Sequence, residues 1–361
     1  MLKAQFKKYI LKFKIPSGTS RGFLREKPSW FIKIFSDSDP NIFGIGECGP
    51  IEGLSRDPIN TFDEKLAELC QKINHHQTVD LKEFPSIQFG LEIALKDLEN
   101  KGTRTLFQNK FTKNEEDIKI NGLIWMGDYA FMFKQIQKKL DDGFHCIKVK
   151  IGSLSFIDEL NLLKQIRKNF KPTELELRVD ANGAYKSTNI SKILSELAKL
   201  DIHSIEQPIA INQWDEMKRL CKSSPIPIAL DEELINPYTK KQKENLLHYI
   251  DPQYIVLKPS MLGGFKETEE WIDLAQKNNV GWWITSALES NIGLNAIAQF
   301  CGNFNNKLPQ GLGTGSLYVN NFNSKYGLNK QFMPVSIYLP PAEVEFENIK
   351  FKAPNKIHSW L

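Results

Sequence analysis

Five charged residues recur along the middle of this 361-residue sequence at intervals close to one strand-plus-helix unit: Lys150, Asp180, Glu206, Asp231 and Lys258. Each sits beside aliphatic residues, in the runs CIKVKI (146–151), LRVDAN (177–182), IE (205–206), LD (230–231) and LK (257–258). Taken singly, such a residue is ordinarily a surface or ion-paired residue. Taken together they describe a site. Three carboxylates gathered in one place need a compensating cation, because an unpaired buried charge costs several kcal/mol, roughly. Carboxylate oxygens without His or Cys select a hard ion, so Asp180, Glu206 and Asp231 are the expected ligands of Mg2+, with Mn2+ as a substitute. A lysine near such an ion and near a second lysine has its charged form disfavoured, which moves its pKa toward that of a general base. A base facing a metal-bound carboxylate suggests abstraction of the proton α to it, the metal absorbing the charge of the enediolate.

The elements that must position these groups follow from periodicity. From about Lys119 short β-rich runs alternate with helical patterns every 25 to 30 residues or so, which is βα repetition. Eight strands are expected at 120–126, 146–151, 175–181, 204–208, 227–231, 254–259, 282–287 and 310–314. Eight parallel strands close most simply into a TIM-like α/β barrel, whose sites lie at the carboxyl ends of the strands. No GxGxxG follows an early strand to favour an open, doubly wound sheet. Side chains of a strand alternate, so Ile147, Val149 and Ile151 share one face and Lys148 and Lys150 the other. Arg178, Asp180 and Asn182 likewise share a face, which puts Arg178 and Asn182 among the expected substrate contacts. Alternation places Glu232 off the inner face on which Asp231 lies.

The first hundred residues read as a smaller α+β unit. Strands are expected near Gln5–Phe13 and Trp30–Phe35. A first helix opens at Asp57-Pro58 and lines up Ile59, Phe62, Leu66 and Leu69; a second runs from Ser86 through Ile87, Leu91, Leu95 and Leu98 to a stop at Asn100-Lys101-Gly102. Two segments rich in Gly, Ser and Pro, 17–28 and 44–58, are expected loops; loops of that length are more often solvated than functional, but these two are expected to shield the barrel mouth from water and to touch the substrate. The expected organisation is 1–117 as this unit, 118–321 as the barrel and 322–361 as a tail that packs back on the amino-terminal unit.

Bulk properties narrow the class. With 47 Lys and Arg against 43 Asp and Glu the formal charge is +4, spread without runs, so no nucleic-acid footprint is present. Five scattered cysteines without a CxxC pair suggest neither a disulfide framework nor a zinc site, and a reducing cytoplasm fits them best. No run of eighteen apolar residues occurs, so no membrane partner is expected. The expected partner is a small-molecule carboxylate; a homo-oligomer is compatible with the sequence.

The motifs KVK (148–150), RVDANGAY (178–185), IEQP (205–208), ALDEE (229–233), VLKPS (256–260) and SALESNIGL (286–294) together resemble the muconate-lactonising subgroup of the enolase superfamily. GECGPIEGLS (46–55) and FGLEIAL (89–95) are similar to its capping domain. The resemblance implies a modified barrel under an α+β capping domain, with Asp180, Glu206 and Asp231 as metal ligands, Lys150 and Lys258 as the two reactive lysines, and Lys148 in electrostatic tuning or a carboxylate contact. A lysine base with a metal-stabilised enediolate is the superfamily's own pattern. Dipeptide epimerases carry an Asp-x-Asp element in the last strand, where this chain has GLGT (311–314). That segment, with 317–321, resembles the o-succinylbenzoate synthases, whose reaction is the syn dehydration of 2-succinyl-6-hydroxy-2,4-cyclohexadiene-1-carboxylate in menaquinone biosynthesis. Ser286, Glu289, Gly313 and Thr314 are then expected at the substrate, and Arg21 or Arg25 of the first loop at its succinyl carboxylate. The same lysines and ligands would serve an N-succinylamino-acid racemase or a muconate-type cycloisomerase. A catalytically silent barrel acting as a binding module is the reading from another class.

Overall fold

The structure is a computed structural model that describes residues 1–19, 22–322 and 332–333, with the side chains of 17–23 and 332–333 left out. The amino-terminal unit is an antiparallel sheet of β1 (Leu2–Thr19), β2 (Gly22–Ser36) and β3 (Asp39–Cys48), packed on α1 (Phe62–Asn74) and α2 (Pro85–Glu99). The sheet extends into both segments expected to be loops. β1 and β2 run on as a long hairpin whose register reaches Thr19↔Gly22, so most of 17–28 is strand. Residues 44–48 are the end of β3, and their glycines serve close packing: a Cβ on Gly44 would lie 1.8 Å from the Ala94 carbonyl, and one on Gly46 1.7 Å from that of Gly90. Only glycine lets strand and helix approach so closely.

Asp57 does not open α1, which is preceded by a 3-10 turn at Ile59–Thr61. Its carboxylate instead accepts from the backbone N–H (3.1 Å) and hydroxyl (2.7 Å) of Ser86, in the first turn of α2. Helix α2 buries two faces. Ile87 and Ala94, with Leu91, Leu95 and Leu98, pack on the sheet, whereas Phe89 and Ile93 belong to the core of the second unit.

That second unit is a seven-stranded parallel sheet whose strands lie side by side in chain order. After the short β4 (Ile118–Lys119), β5 (Gly122–Ile124), β6 (Cys146–Lys150), β7 (Glu176–Asp180) and β8 (Ser204–Glu206) alternate with α3 (Tyr129–Asp141), α4 (Phe156–Asn169) and α5 (Ile190–Ala198). There follow α6 (Trp214–Ser223), β9 (Ile228–Leu230), α7 (Lys240–Ile250), β10 (Tyr254–Leu257), the one-turn α8 (Pro259–Leu262), α9 (Phe265–Lys277), β11 (Gly281–Ile284) and α10 (Asn291–Cys301). Ile147, Val149, Leu177, Val179, Ile205 and Leu257 face the helices in one continuous core, as alternation requires.

The eighth strand expected at 310–314 is reduced to two parallel bridges, Ile120↔Gln310 and Thr285↔Gly311. These still close the ring: Asn121 N–H donates to the Gln310 carbonyl (3.0 Å) and Gly311 N–H to that of Ile284 (2.8 Å). The glycine at 311 fits Thr285, whose hydroxyl oxygen would lie 2.2 Å from a Cβ there. Beyond it, 317–322 runs back along β1, with Lys14 N–H donating to the Leu317 carbonyl (2.8 Å) and Phe322 packed edge-on against Phe31. Residues 332–333 form β12, antiparallel to β4; the remainder of the tail expectation lies outside the described residues. All five cysteines are buried free thiols. No helix among the described residues is long and apolar enough to cross a membrane.

Candidate active site

Parallel register explains how charges distant in sequence meet. Lys150 is in register with Asp180, and Asp180 with Glu206, so their side chains form one row at the carboxyl ends of β6, β7 and β8. One layer below, Lys148 and Arg178 are partners. Lys148 reaches up to the row, donating to Asp180 (3.1 Å) and to both oxygens of Glu206 (3.0 and 2.8 Å). Lys150 donates to Asp180 (3.0 Å) and to the amide oxygen of Asn182 (2.7 Å). Across the mouth Lys258, just past β10, is ion-paired with Asp231.

Asp180, Glu206 and Asp231 are each at most 2% exposed. Lys150 and Lys258 are more open and line a cleft of about 1050 Å³, part of it open solvent, at this end of the barrel. Asn182, Ser286, Gly313 and Thr314 also line it, and the Ser286 and Thr314 hydroxyls lie 2.6 Å apart. The opposite wall is apolar: Leu24, Ile51 and Leu54 from the amino-terminal unit, with Trp125, Met261 and Leu288 from the barrel. The 17–28 and 44–58 segments do reach the mouth as expected, but the apolar residues of the wall were not named from the sequence, although strand alternation puts Asn121, Leu123 and Trp125 on one face and all three line the cleft.

Four expectations change. Arg178 points to the foot of the barrel, donating to Glu176 (2.6 Å) and the Pro309 carbonyl (3.0 Å) and lying over the Trp283 ring, so it is not at the substrate. Glu289 is wholly buried behind the cleft wall, held by Ser260 and the Ala287 N–H. Arg25 is exposed and does not line the cleft, and Arg21 lies outside the described residues. Glu232 does face the mouth, because the strand ends at Leu230 and a 3-10 turn follows; it accepts from the Asn182 amide at 3.0 Å.

The electrostatics also differ from the sequence expectation. Burial lowers Lys148 and Lys258, but the carboxylates around them outweigh it and hold both pKa values above the ordinary lysine value. Burial works against the Asp180 anion as well, yet Lys148, Lys150 and Lys258 keep its pKa well below the usual range. Glu206 goes the other way, pushed well up by burial and by Asp180. Among the described residues no group of three or more His, Cys, Asp or Glu is already disposed around a common metal position; Lys148 and Lys258 neutralise those oxygens instead. The donor set still fits a hard divalent cation. Asp180, Glu206 and Asp231 are buried side by side with Glu232, burial and Asp180 push up Glu206 as happens where carboxyls share one site, and every donor is oxygen.

Comparison with known proteins agrees with this fold. The family model described as "Enolase C-terminal domain-like" matches residues 132–336. This chain belongs to the enolase superfamily, whose members use a divalent metal. It is 42% identical to the o-succinylbenzoate synthase of Desulfotalea psychrophila, over 93% of this chain and 99% of that one. The crystal structure of MenC from the same organism matches with a TM-score of 0.83 and 39% identity, covering 92% of this chain and 99% of that one. The muconate lactonizing enzyme of Pseudomonas fluorescens, 20% identical and covering 93% and 94% of the two chains, matches with a TM-score of 0.76 and shows the shared fold alone.

Proposed function

We infer that this enzyme is an o-succinylbenzoate synthase, a carbon–oxygen lyase of menaquinone biosynthesis that dehydrates 2-succinyl-6-hydroxy-2,4-cyclohexadiene-1-carboxylate. The observation that carries the reading is a cleft with one half lysine and carboxylate and the other half apolar, in a chain 42% identical to a synthase of that name over nearly its whole length. Asp180, Glu206 and Asp231 are the residues that would hold Mg2+ or Mn2+. Such a cation, when bound, offsets the charge that grows on the substrate carboxylate as the α proton leaves.

Lys150, held by Asp180 and Asn182 at the edge of the cleft, takes the ring proton and returns a proton to the departing hydroxyl on the same face. Lys258, on the opposite side of the mouth, stays an ammonium beside Asp231 and faces the ring as a cation. Lys148 fixes Asp180 and Glu206. The apolar wall excludes water and packs the ring and acyl chain, while Ser286, Thr314 and the Gly313 backbone offer the polar contacts. The site needs no membrane or nucleic-acid partner, and the reading places the enzyme in the cytoplasm.

The test offers purified protein, with Mg2+, the cyclohexadiene and separately an N-succinylamino acid. Conversion of the first to an aromatic product is expected. Efficient racemisation of the second without dehydration of the first would make the chain a racemase.

A further inference from the structure

A second set of buried charges lies between the amino-terminal sheet and the loops after β10 and β11, and the dehydration does not use it. Lys27 on β2 is 4% exposed, and Glu47 on β3 and Glu289 are fully buried. Lys27 donates to the Ser29 hydroxyl (3.1 Å), which donates to Glu47 (2.9 Å). Glu47 also accepts from the N–H groups of Ser290 (2.9 Å) and Gly293 (3.0 Å). It thereby satisfies donors that the first turn of α10 leaves without helical partners. Glu289 accepts from the Ser260 hydroxyl (2.5 Å) and the Ala287 N–H (2.7 Å). Lys27 is thus joined to the segment of Glu289 through Ser29, Glu47 and the N–H of Ser290, the residue after Glu289.

Three walls of the cleft hang from this cluster. Leu24 is three residues before Lys27 on the hairpin. A Cβ at Gly49 would sit 2.5 Å from Lys27 Nζ, so the segment leading to Ile51 and Leu54 is laid directly over the ammonium. Ala287 and Leu288 line the cleft immediately before Glu289. Leu288 has φ of +64°, a left-handed conformation that leucine rarely adopts. It persists because its neighbours are tied, Ala287 N–H to Glu289 and the Leu288 carbonyl to the Tyr318 hydroxyl (2.7 Å).

We propose that Lys27 and Glu289 are a positioning pair, linked through Ser29, Glu47 and Ser290, that locks both cap segments to the Ala287–Leu288 wall and so sets how tightly the apolar half of the cleft closes on its ligand. Neither side chain touches the cleft, so their effect falls on binding more than on proton transfer. The inference rests on the cleft being the active site.

The experiment uses the full chain with Mg2+ and compares Lys27→Met, Glu289→Gln and the double variant. Each single change is expected to raise KM and the Kd of o-succinylbenzoate about tenfold with kcat held within about threefold. The double variant should be no worse than the weaker single one, since members of one buried hydrogen-bond network, here linked through Ser29, Glu47 and Ser290, are not additive. Unchanged KM and Kd in either folded single variant, a fall in kcat alone, or additive losses would overturn the pairing. If Lys27→Met does not fold, Ser260→Ala removes only the hydroxyl that holds Glu289; KM should rise about threefold, and an unchanged KM overturns the proposal. Absent turnover in the wild-type protein would strike the functional reading instead. Amide exchange at 286–290 then decides the pairing: both single variants should speed it about tenfold, and unchanged exchange overturns it.

Discussion

The mouth and the foot of the barrel are built from the same sequence pattern and do different things. Lys148 and Arg178 are register partners on adjacent strands, one layer below the row of Lys150, Asp180 and Glu206. Lys148 extends toward the mouth and ties the carboxylates together. Arg178 turns toward the foot, where Glu176, the Pro309 carbonyl and the Trp283 ring receive it. Alternation tells which face of a strand a charge occupies. It does not tell which end of the barrel a long side chain will reach for, and only one end carries the chemistry.

The largest expected difference between the two ends concerns metal. Exhaustive chelation should reduce turnover to background and added Mg2+ or Mn2+ should restore it, measured as aromatic product formed. Full activity after chelation would remove Asp180, Glu206 and Asp231 from the ligand role. Next in size, Lys150→Ala should lose about two to four orders of magnitude in kcat, the usual worth of general acid–base catalysis. Arg178→Met tests the foot: it should destabilise the chain by about 1–3 kcal/mol through lost hydrogen bonds in urea or thermal unfolding, with kcat of the folded protein within about threefold of wild type. A kcat loss in Arg178→Met as large as that in Lys150→Ala would erase the distinction between the ends.

The smallest effect lies in the cap. Burial raises the pKa of Asp57 to about 7, so the folded chain binds a proton there that the unfolded chain has lost above the ordinary aspartate value of 3.8. Stability from this group is therefore fully present below that lower pKa and declines as pH rises toward about 7. Asp57→Asn should flatten that part of the stability profile; an unaltered slope between the two pKa values would show that the carboxyl is ionised throughout.

The chain's legibility follows the same division. The barrel, its strand order and the charged row could be read because βα spacing and two-residue alternation are local patterns. The cover of the mouth by 17–28 and 44–58 was expected, but the identity of its apolar residues could not be read, because Leu24, Ile51 and Leu54 reach the cleft only through the docking of a hairpin and a loop on the barrel. Gly44 and Gly46 read as loop residues because the helix they pack against begins about forty residues later. Glu232 was misplaced because a strand that stops one residue early hands the next side chain to a turn, where alternation no longer applies. Glu289 lies in a motif that resembles the family's, and the motif does not show that its side chain is fully buried and held by Ser260 and the Ala287 N–H.

The central claim is that the mouth uses one base and one opposing cation. Its most direct test is the rate of aromatisation by Lys258→Arg set beside that of Lys150→Arg. Arginine keeps the charge and stays protonated at working pH, so it can replace a cation but not a base. Lys258→Arg should retain measurable dehydration and Lys150→Arg should fall to the level of Lys150→Ala. Retained activity in Lys150→Arg together with a dead Lys258→Arg would contradict the assignment and exchange the two roles.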